Sequence, residues 1–447
     1  DGIPVQPSIP QAPYGAVCRR QTLKPLLIAS TLLLLAGCTS YGKIVNEPRA
    51  TTEDTAGSYS IEEYISTHDY GGLAMTLAFS GGGTRAAALA YGVLQELRDT
   101  KVLIDGHPRH LLDEVDMISS VSGGSFTSAY YGLHGDRIYE DFESAFLRRN
   151  VQHELIDRLL NPFRWFGSTG RTEMAIQLYE RSIFHGATFA DMRRSVTDPL
   201  ILINASDLAY GVRFSFVQEF FNLLCSDIST FPVSRAVTAS SAVPVLFNPV
   251  VVQNYPDCKQ GQPEWLTKAM VHSNENPELR EVVRGLATYY DADQRKYAHF
   301  VDGGITDNLG LRAIYEVIEV AGGIQRMSVH YGDRPLPSRV VYISVDASTE
   351  PKPDMDLSNE QPSMSDTISA VSGVQIHRYN AATLELMKTS LVGWTGKLST
   401  PDKTVEPHFI SVGFSDLDPA EQPFFNEVPT SFSLTDEQVD RLTVSYT

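Results

Sequence analysis

Residues 115–126 read Val-Asp-Met-Ile-Ser-Ser-Val-Ser-Gly-Gly-Ser-Phe, an apolar run from Val115 to Val121 that breaks at Ser122 into Gly123-Gly124. A strand that turns sharply into a helix exposes its turn residue, and the glycines after it permit strained backbone and leave room for a substrate. A serine on such a turn presents its hydroxyl to a helix N-terminus, where unpaired N–H groups and the dipole favour developing negative charge. The letters follow G-x-S-x-G with Ser120 in place of the first glycine, one small residue for another. A Ser/Gly-rich turn that only caps a helix fits the same letters, so the rest of the chain has to decide.

Working outward, short apolar runs alternate with helical patterns. Leu73 to Phe79 reads as a strand ending in Ser80-Gly81-Gly82-Gly83, and Ala86 to Leu97 follows with strong helix formers. Ser125 to Leu133 continues the elbow as a helix. Residues 139–195 read as mostly helical, with Phe142, Phe146, Leu155, Leu159 and Leu160 along one face. Leu200 to Ile203 and Val212 to Val217 read as strands, and Ala236 to Ala242 as a helix that stops before Pro244. His299 to Val301 leads into Asp302-Gly303-Gly304, Leu311 to Val320 reads as a helix, and Val340 to Val345 as a buried strand. Strands alternating with helices imply an α/β protein whose mainly parallel sheet is covered on both faces.

The chain divides on composition into a leader region over 1–37, a tether over 38–72, a catalytic domain over 73–349 and a C-terminal extension over 350–447. The extension opens Pro/Asp/Ser-rich, with a helix around Ala381 to Thr389 and then irregular sequence. The whole chain of 447 residues is 42% hydrophobic and 20% charged, enough for a large core. A net charge of −18 argues against nucleic-acid binding, which needs a concentrated basic surface.

Arg19, Arg20 and Lys24 precede an apolar stretch, Pro25 to Leu35, that ends in Leu35-Ala36-Gly37-Cys38. Positive residues, a short apolar core and small residues before a cut make a secretory signal, too short to be a spanning helix. The cysteine after Leu-Ala-Gly resembles the lipidation site of a bacterial lipoprotein. That resemblance implies a signal peptide removed up to Gly37, a lipid anchor on Cys38 and, with Thr39 following, the outer membrane of the cell envelope. Cys18 would go with the leader, leaving Cys225 and Cys258. In an oxidising compartment these two can form a disulfide, or they are two unrelated thiols.

Three places carry chemistry. Gly81-Gly82-Gly83-Thr84-Arg85 lies at a strand-to-helix turn, where consecutive glycines aim backbone N–H groups at an oxyanion or a phosphate. Gly81, Gly83 and Ala86 also fit a dinucleotide fingerprint. Its expected acidic partner falls near Asp105, which Gly106, His107 and Pro108 surround with no strand end in sight. Ser122 is the second place. Asp302, at a strand end before two glycines, is the third. A serine hydroxyl needs a base to take its proton, and oxyanion donors contribute roughly 3–4 kcal/mol each.

In that order the glycine loop with its following basic residue, the serine elbow and the Asp-Gly-Gly motif make the chain resemble the patatin-like phospholipase family. Two further segments match: Ala239-Ser240-Ser241-Ala242-Val243-Pro244 with Phe247 and Pro249, and Asn204-Ala205-Ser206-Asp207. The resemblance covers residues 73–320, with Ser120 and Ala86 as departures from the pattern. It implies a three-layer patatin-like α/β fold with a mainly parallel central sheet flanked by helices. It also implies a Ser122–Asp302 dyad without histidine, an oxyanion hole of Gly82 and Gly83 joined by Gly81, and a serine acyl hydrolase of lipid esters. Neither cofactor nor metal is implied. Arg85 would orient a substrate phosphate, or else form an ion pair within the loop.

Two other readings stand beside it. A Ser-His-Asp α/β-hydrolase would draw on His330, His377 or His408, and a non-catalytic lipoprotein would bind lipid or a partner without turnover. Phe163, Trp165 and Phe166 are candidates for a membrane contact, or for a buried helix corner.

Overall fold

The computed structural model describes residues 41–444 apart from 50–56, 69, 105, 152, 154–169, 193–197, 245, 257, 259–263, 330–334 and 351–353. Cys38, Asp105, Phe163, Trp165, Phe166 and His330 lie outside the described residues. All elements below belong to one compact unit, Gly42–Thr447.

The strands that build the main sheet are β1 (Leu73–Phe79), β2 (Val115–Val121), β3 (Leu200–Asp207), β4 (Arg213–Ser215), β5 (Val250–Gln253), β6 (Tyr297–Val301), β7 (Arg339–Asp346) and β8 (Glu406–Gly413). Around them run α1 (Ile61–Thr67), α2 (Thr84–Asp99), α3 (Gly123–His134), α4 (Val233–Ser240) and α5 (Glu264–His272). Later in the chain come α6 (Pro277–Ala287), α7 (Leu311–Val320), α8 (Ile324–Val329), α9 (Met364–Leu398) and α10 (Asp436–Val444).

The sheet order is β8-β7-β1-β2-β3-β6-β5, with β4 paired on β3. Strands β8, β7, β1, β2 and β3 are mutually parallel, and β6, β5 and β4 are antiparallel to their neighbours. The apolar runs sit where a parallel sheet needs them: β3 is buried along its whole length and β2 nearly so. Strand order reverses at β1, since β2 and β3 lie on one side of it and β7 and β8 on the other. Open parallel sheets form their crevice at the carboxyl ends of the strands beside such a reversal. The glycine loop after β1 and the elbow after β2 are at that end.

Helix α2 is Ala-rich, and its residues from Thr84 to Leu94 are buried between the sheet, α3 and α10. Gly92 meets the backbone of Thr443 closely enough that a Cβ there would stand 2.7 Å from its carbonyl oxygen. The last helix therefore seats directly on the helix that follows the glycine loop. Two aromatic clusters fill the core: Phe126, Phe142 and Phe146 form one, and Phe214, Phe216, Phe221 and Phe300 the other.

Strand β8 and the length of α9 depart from the sequence reading. Residues 406–413 lie at the sheet edge and are mostly exposed, so they carry no buried-strand pattern, yet they pair in register with β7. Helix α9 runs 35 residues, far beyond the span around Ala381 to Thr389. Its Ser, Thr and Gly content gives weak propensity, and its contacts with α7 and β8 through Met387, Leu391 and Trp394 supply the stabilisation.

Candidate active site

Ser122 has φ 49° and ψ −118°, a backbone conformation that side chains rarely adopt. Neighbouring structure holds it there. The Ser122 N–H donates to Ser240 Oγ at 2.8 Å, and that hydroxyl donates to the Asn204 carbonyl at 2.6 Å. Gly123 leaves no alternative on the other side, because a Cβ there would stand 1.9 Å from the Gly83 carbonyl oxygen. The glycine after the serine thus lets the loop after β1 lie against the elbow.

Ser120, the departure from the first glycine, is fully buried without strain on its hydroxyl. It donates to the Leu202 carbonyl at 3.2 Å and accepts from Ser128 Oγ at 2.6 Å.

Asp302 reaches the same place from the antiparallel strand β6. Its pairing sets Val301 opposite Ser206, so the chain leaving β6 enters the level of Asn204, which itself pairs with Val121. Gly303 makes this approach possible, since a Cβ would stand 2.4 Å from the Asn204 carbonyl oxygen. The N–H groups of Asp302 and Gly303 donate to the carbonyls of Ala242 and Ser240 at 3.0 and 2.9 Å. The segment around Ala239-Ser240-Ser241-Ala242 therefore holds both the elbow and the aspartate.

The Oγ of Ser122 donates to Asp302 Oδ2 at 2.8 Å, and the Gly304 N–H donates to Oδ1 at 2.8 Å. Burial pushes the Asp302 carboxyl up to about 6, against those two donors, which favour the charged form. At neutral pH it is ionised, yet a stronger base than an exposed carboxylate.

The glycine loop is pinned at three points. Ser80 N–H donates to the Val345 carbonyl, Gly81 N–H to the Asn308 carbonyl and Thr84 N–H to the Ser431 carbonyl, at 3.0, 2.9 and 2.9 Å. Gly81 is thereby removed from the expected oxyanion set, because its only backbone donor is spent on Asn308. The N–H groups of Gly82 and Gly83 have no acceptor among the described residues.

Arg85 also departs from its expected place. Its side chain is 3% exposed, with Nε donating to the Ala347 carbonyl at 2.9 Å and Nη2 to Thr430 Oγ1 at 3.1 Å. Nη1 donates to the Val428 carbonyl. A guanidinium whose three nitrogens are so engaged is not available to a lipid phosphate, nor does it form an ion pair within the loop. It ties the segment from Val428 to Ser431 over the start of α2. Neither Asn308 nor this C-terminal strap carried a sequence signal, because apart from Thr430 Oγ1 their contacts are made by backbone carbonyls.

Cys225 and Cys258 are disulfide-bonded, which settles that alternative. His377 lies on α9 and His408 on β8, and neither is bonded to Ser122 or Asp302; His408 stands 3.7 Å from Glu406. Among the described residues no group of three or more His, Cys, Asp or Glu is placed to hold a metal ion.

A small buried serine at a strand-to-helix elbow, on a mainly parallel sheet flanked by helices, defines an α/β protein of the acyl-hydrolase kind. Residues 77–315, more than half of the chain, match the family model described as patatin-like phospholipase. The chain belongs to that family, and the family is one of lipid acyl hydrolases. A comparison with curated proteins found no match.

Among solved structures, the chain is similar to human GIVD cytosolic phospholipase A2, at 13% identity and a TM-score of 0.37, over 92% of this chain and 67% of that one. The same human enzyme in complex with methyl gamma-linolenyl fluorophosphonate gives 13% identity and a TM-score of 0.36, over 84% of this chain and 57% of that one.

Proposed function

We propose that the protein hydrolyses fatty-acyl esters of phospholipids or other lipids through a Ser122–Asp302 dyad and an acyl-enzyme. The observation that carries this is the 2.8 Å bond from the Ser122 hydroxyl to the Asp302 carboxylate at a strained elbow. Ser122 Oγ attacks the ester carbonyl carbon while Asp302 Oδ2 takes its proton. The carbonyl oxygen becomes an oxyanion, met by the N–H groups of Gly82 and Gly83 and by the N-terminus of α3. Asp302 returns the proton to the departing alcohol oxygen, leaving the acyl group on Ser122. Water then attacks the acyl carbon with Asp302 again as base, and the fatty acid leaves.

A fluorophosphonate probe tests this directly. It should label wild-type protein on Ser122 and leave folded Ser122→Ala unlabelled. Labelling that persists in the alanine variant, or fails in the wild type, would overturn the reading. Mass spectrometry of products from a mixed-acyl phospholipid then names the ester cut.

The proposal extends to location: a bacterial envelope lipoprotein anchored through lipidated Cys38, in the outer membrane, acting on lipid at that surface. The Leu-Ala-Gly-Cys segment and the Cys225–Cys258 disulfide support export to an oxidising compartment. Radiolabelled palmitate should enter the wild type and not Cys38→Ala.

A further inference from the structure

A cavity of about 570 Å³ opens away from the dyad, and neither Ser122 nor Asp302 lines it. Helix α1 forms one side. It leads into β1, and Tyr64 on it donates to the carbonyl of Asp116 at the start of β2, so this wall is at the opposite end of the strands from the elbow. The walls are apolar, from Ile61, Ile65, Phe220, Trp265, Val317 and Val320. Its volume lies within the usual range for ligand sites, roughly 300–1,000 Å³.

Three polar features distinguish it from a packing fault. Arg213 and Glu316, 2% and 7% exposed, both line it and pair at 2.9 Å, which fixes a neutral wall. Glu219 lines it as well: its Oε1 accepts from Ser60 Oγ and the Glu62 N–H, while Oε2 is buried without a hydrogen-bond partner. Burial raises the Glu219 pKa, and the two donors on Oε1 hold the carboxyl in the wall of the cavity. Exposed Lys268 and Arg326 belong to the same lining, with one exposed acid, Glu62.

We propose that this cavity is a second lipid site that takes one long-chain fatty acid, its tail among the apolar walls and its carboxylate toward Lys268 and Arg326. An anionic oxygen head suits the two cations, and an alkyl chain suits the walls. The choice of a fatty acid rests on the acyl hydrolysis proposed above, whose product it is.

The test uses the full chain carrying Ser122→Ala, which cannot turn over lipid. Oleate binding is measured by displacement of a fluorescent fatty acid, alone and with Lys268→Glu/Arg326→Glu or with the cavity-filling Val317→Phe/Val320→Phe. Saturable binding is expected, weakened roughly tenfold by the charge reversals, whose exposed positions spare the fold. The filling variant should lose it while circular dichroism stays native.

Absence of saturable binding, or binding that both variants leave unchanged, would overturn the proposal. So would lysophosphatidylcholine binding more tightly than oleate. Oleate binding that disappears when wild-type Ser122 carries a fluorophosphonate would place the ligand at the dyad and overturn it too. Failure of fluorophosphonate labelling itself would strike the proposed hydrolysis and leave oleate binding to be judged by its own arms.

Discussion

Ser122 and Asp302 are 180 residues apart in the chain, and their side chains meet at 2.8 Å with no third residue between them. The pair exists because Ser240 serves both. Its hydroxyl accepts the Ser122 N–H, and its carbonyl accepts the Gly303 N–H. Ser240, at the end of α4, thus helps hold both the elbow and the turn that carries Asp302.

Ser240→Ala should lower kcat roughly 10- to 100-fold on a soluble ester and leave KM nearly unchanged. It removes no reacting group, but a buried N–H loses its acceptor at a strained position, at about 1–3 kcal/mol. Steady-state kinetics on the folded variant check this. A KM effect of the same size would refute a positioning role.

The pH dependence follows from Asp302. The base acts when ionised, so acylation should rise with pH through about 6 and level off above it. Its stability effect has the opposite sense. The folded value lies above the ordinary 3.8, so the native state binds the proton more tightly, and stability falls as pH rises from 3.8 to about 6. Asp302→Asn should thus cost roughly 10²–10⁴ in rate. Chemical denaturation at pH 7.5 should show it as stable as the wild type or more so.

Arg85→Met should destabilise the protein by about 2–4 kcal/mol, because buried acceptors on Val428, Ala347 and Thr430 lose a charged donor. Arg85→Lys should rescue little, since an ammonium cannot reproduce the planar fork. The activity loss should be equal on a phospholipid and on a short ester without phosphate. A loss confined to the phospholipid would return Arg85 to substrate binding.

Reducing the Cys225–Cys258 bond, or replacing both by serine, should cost about 3–4 kcal/mol from loop entropy over a separation of 33 residues. Denaturant midpoints with and without reductant measure it. No shift would mean that the linked segments stay ordered in the unfolded chain.

The elbow, the glycine loop and the Asp-Gly-Gly turn were legible because each is a local backbone demand that glycine or a small residue writes into the sequence. Ser122, Gly82, Gly83 and Asp302 all stood out in that way, and the alternation of apolar runs with helical patterns marked the parallel sheet. The sequence determined by itself which residues stand at strand ends and that the fold is α/β. The tertiary structure decided what those residues touch. It placed the N–H of Gly81 on Asn308, turned Arg85 to the Val428–Ser431 strap, drew 406–413 into the sheet edge and joined Cys225 to Cys258. Those contacts fall between residues far apart in the chain and, the disulfide apart, run mostly to backbone groups that every residue type presents alike. No local pattern in the sequence can encode such a contact; only the packed chain brings its two ends together.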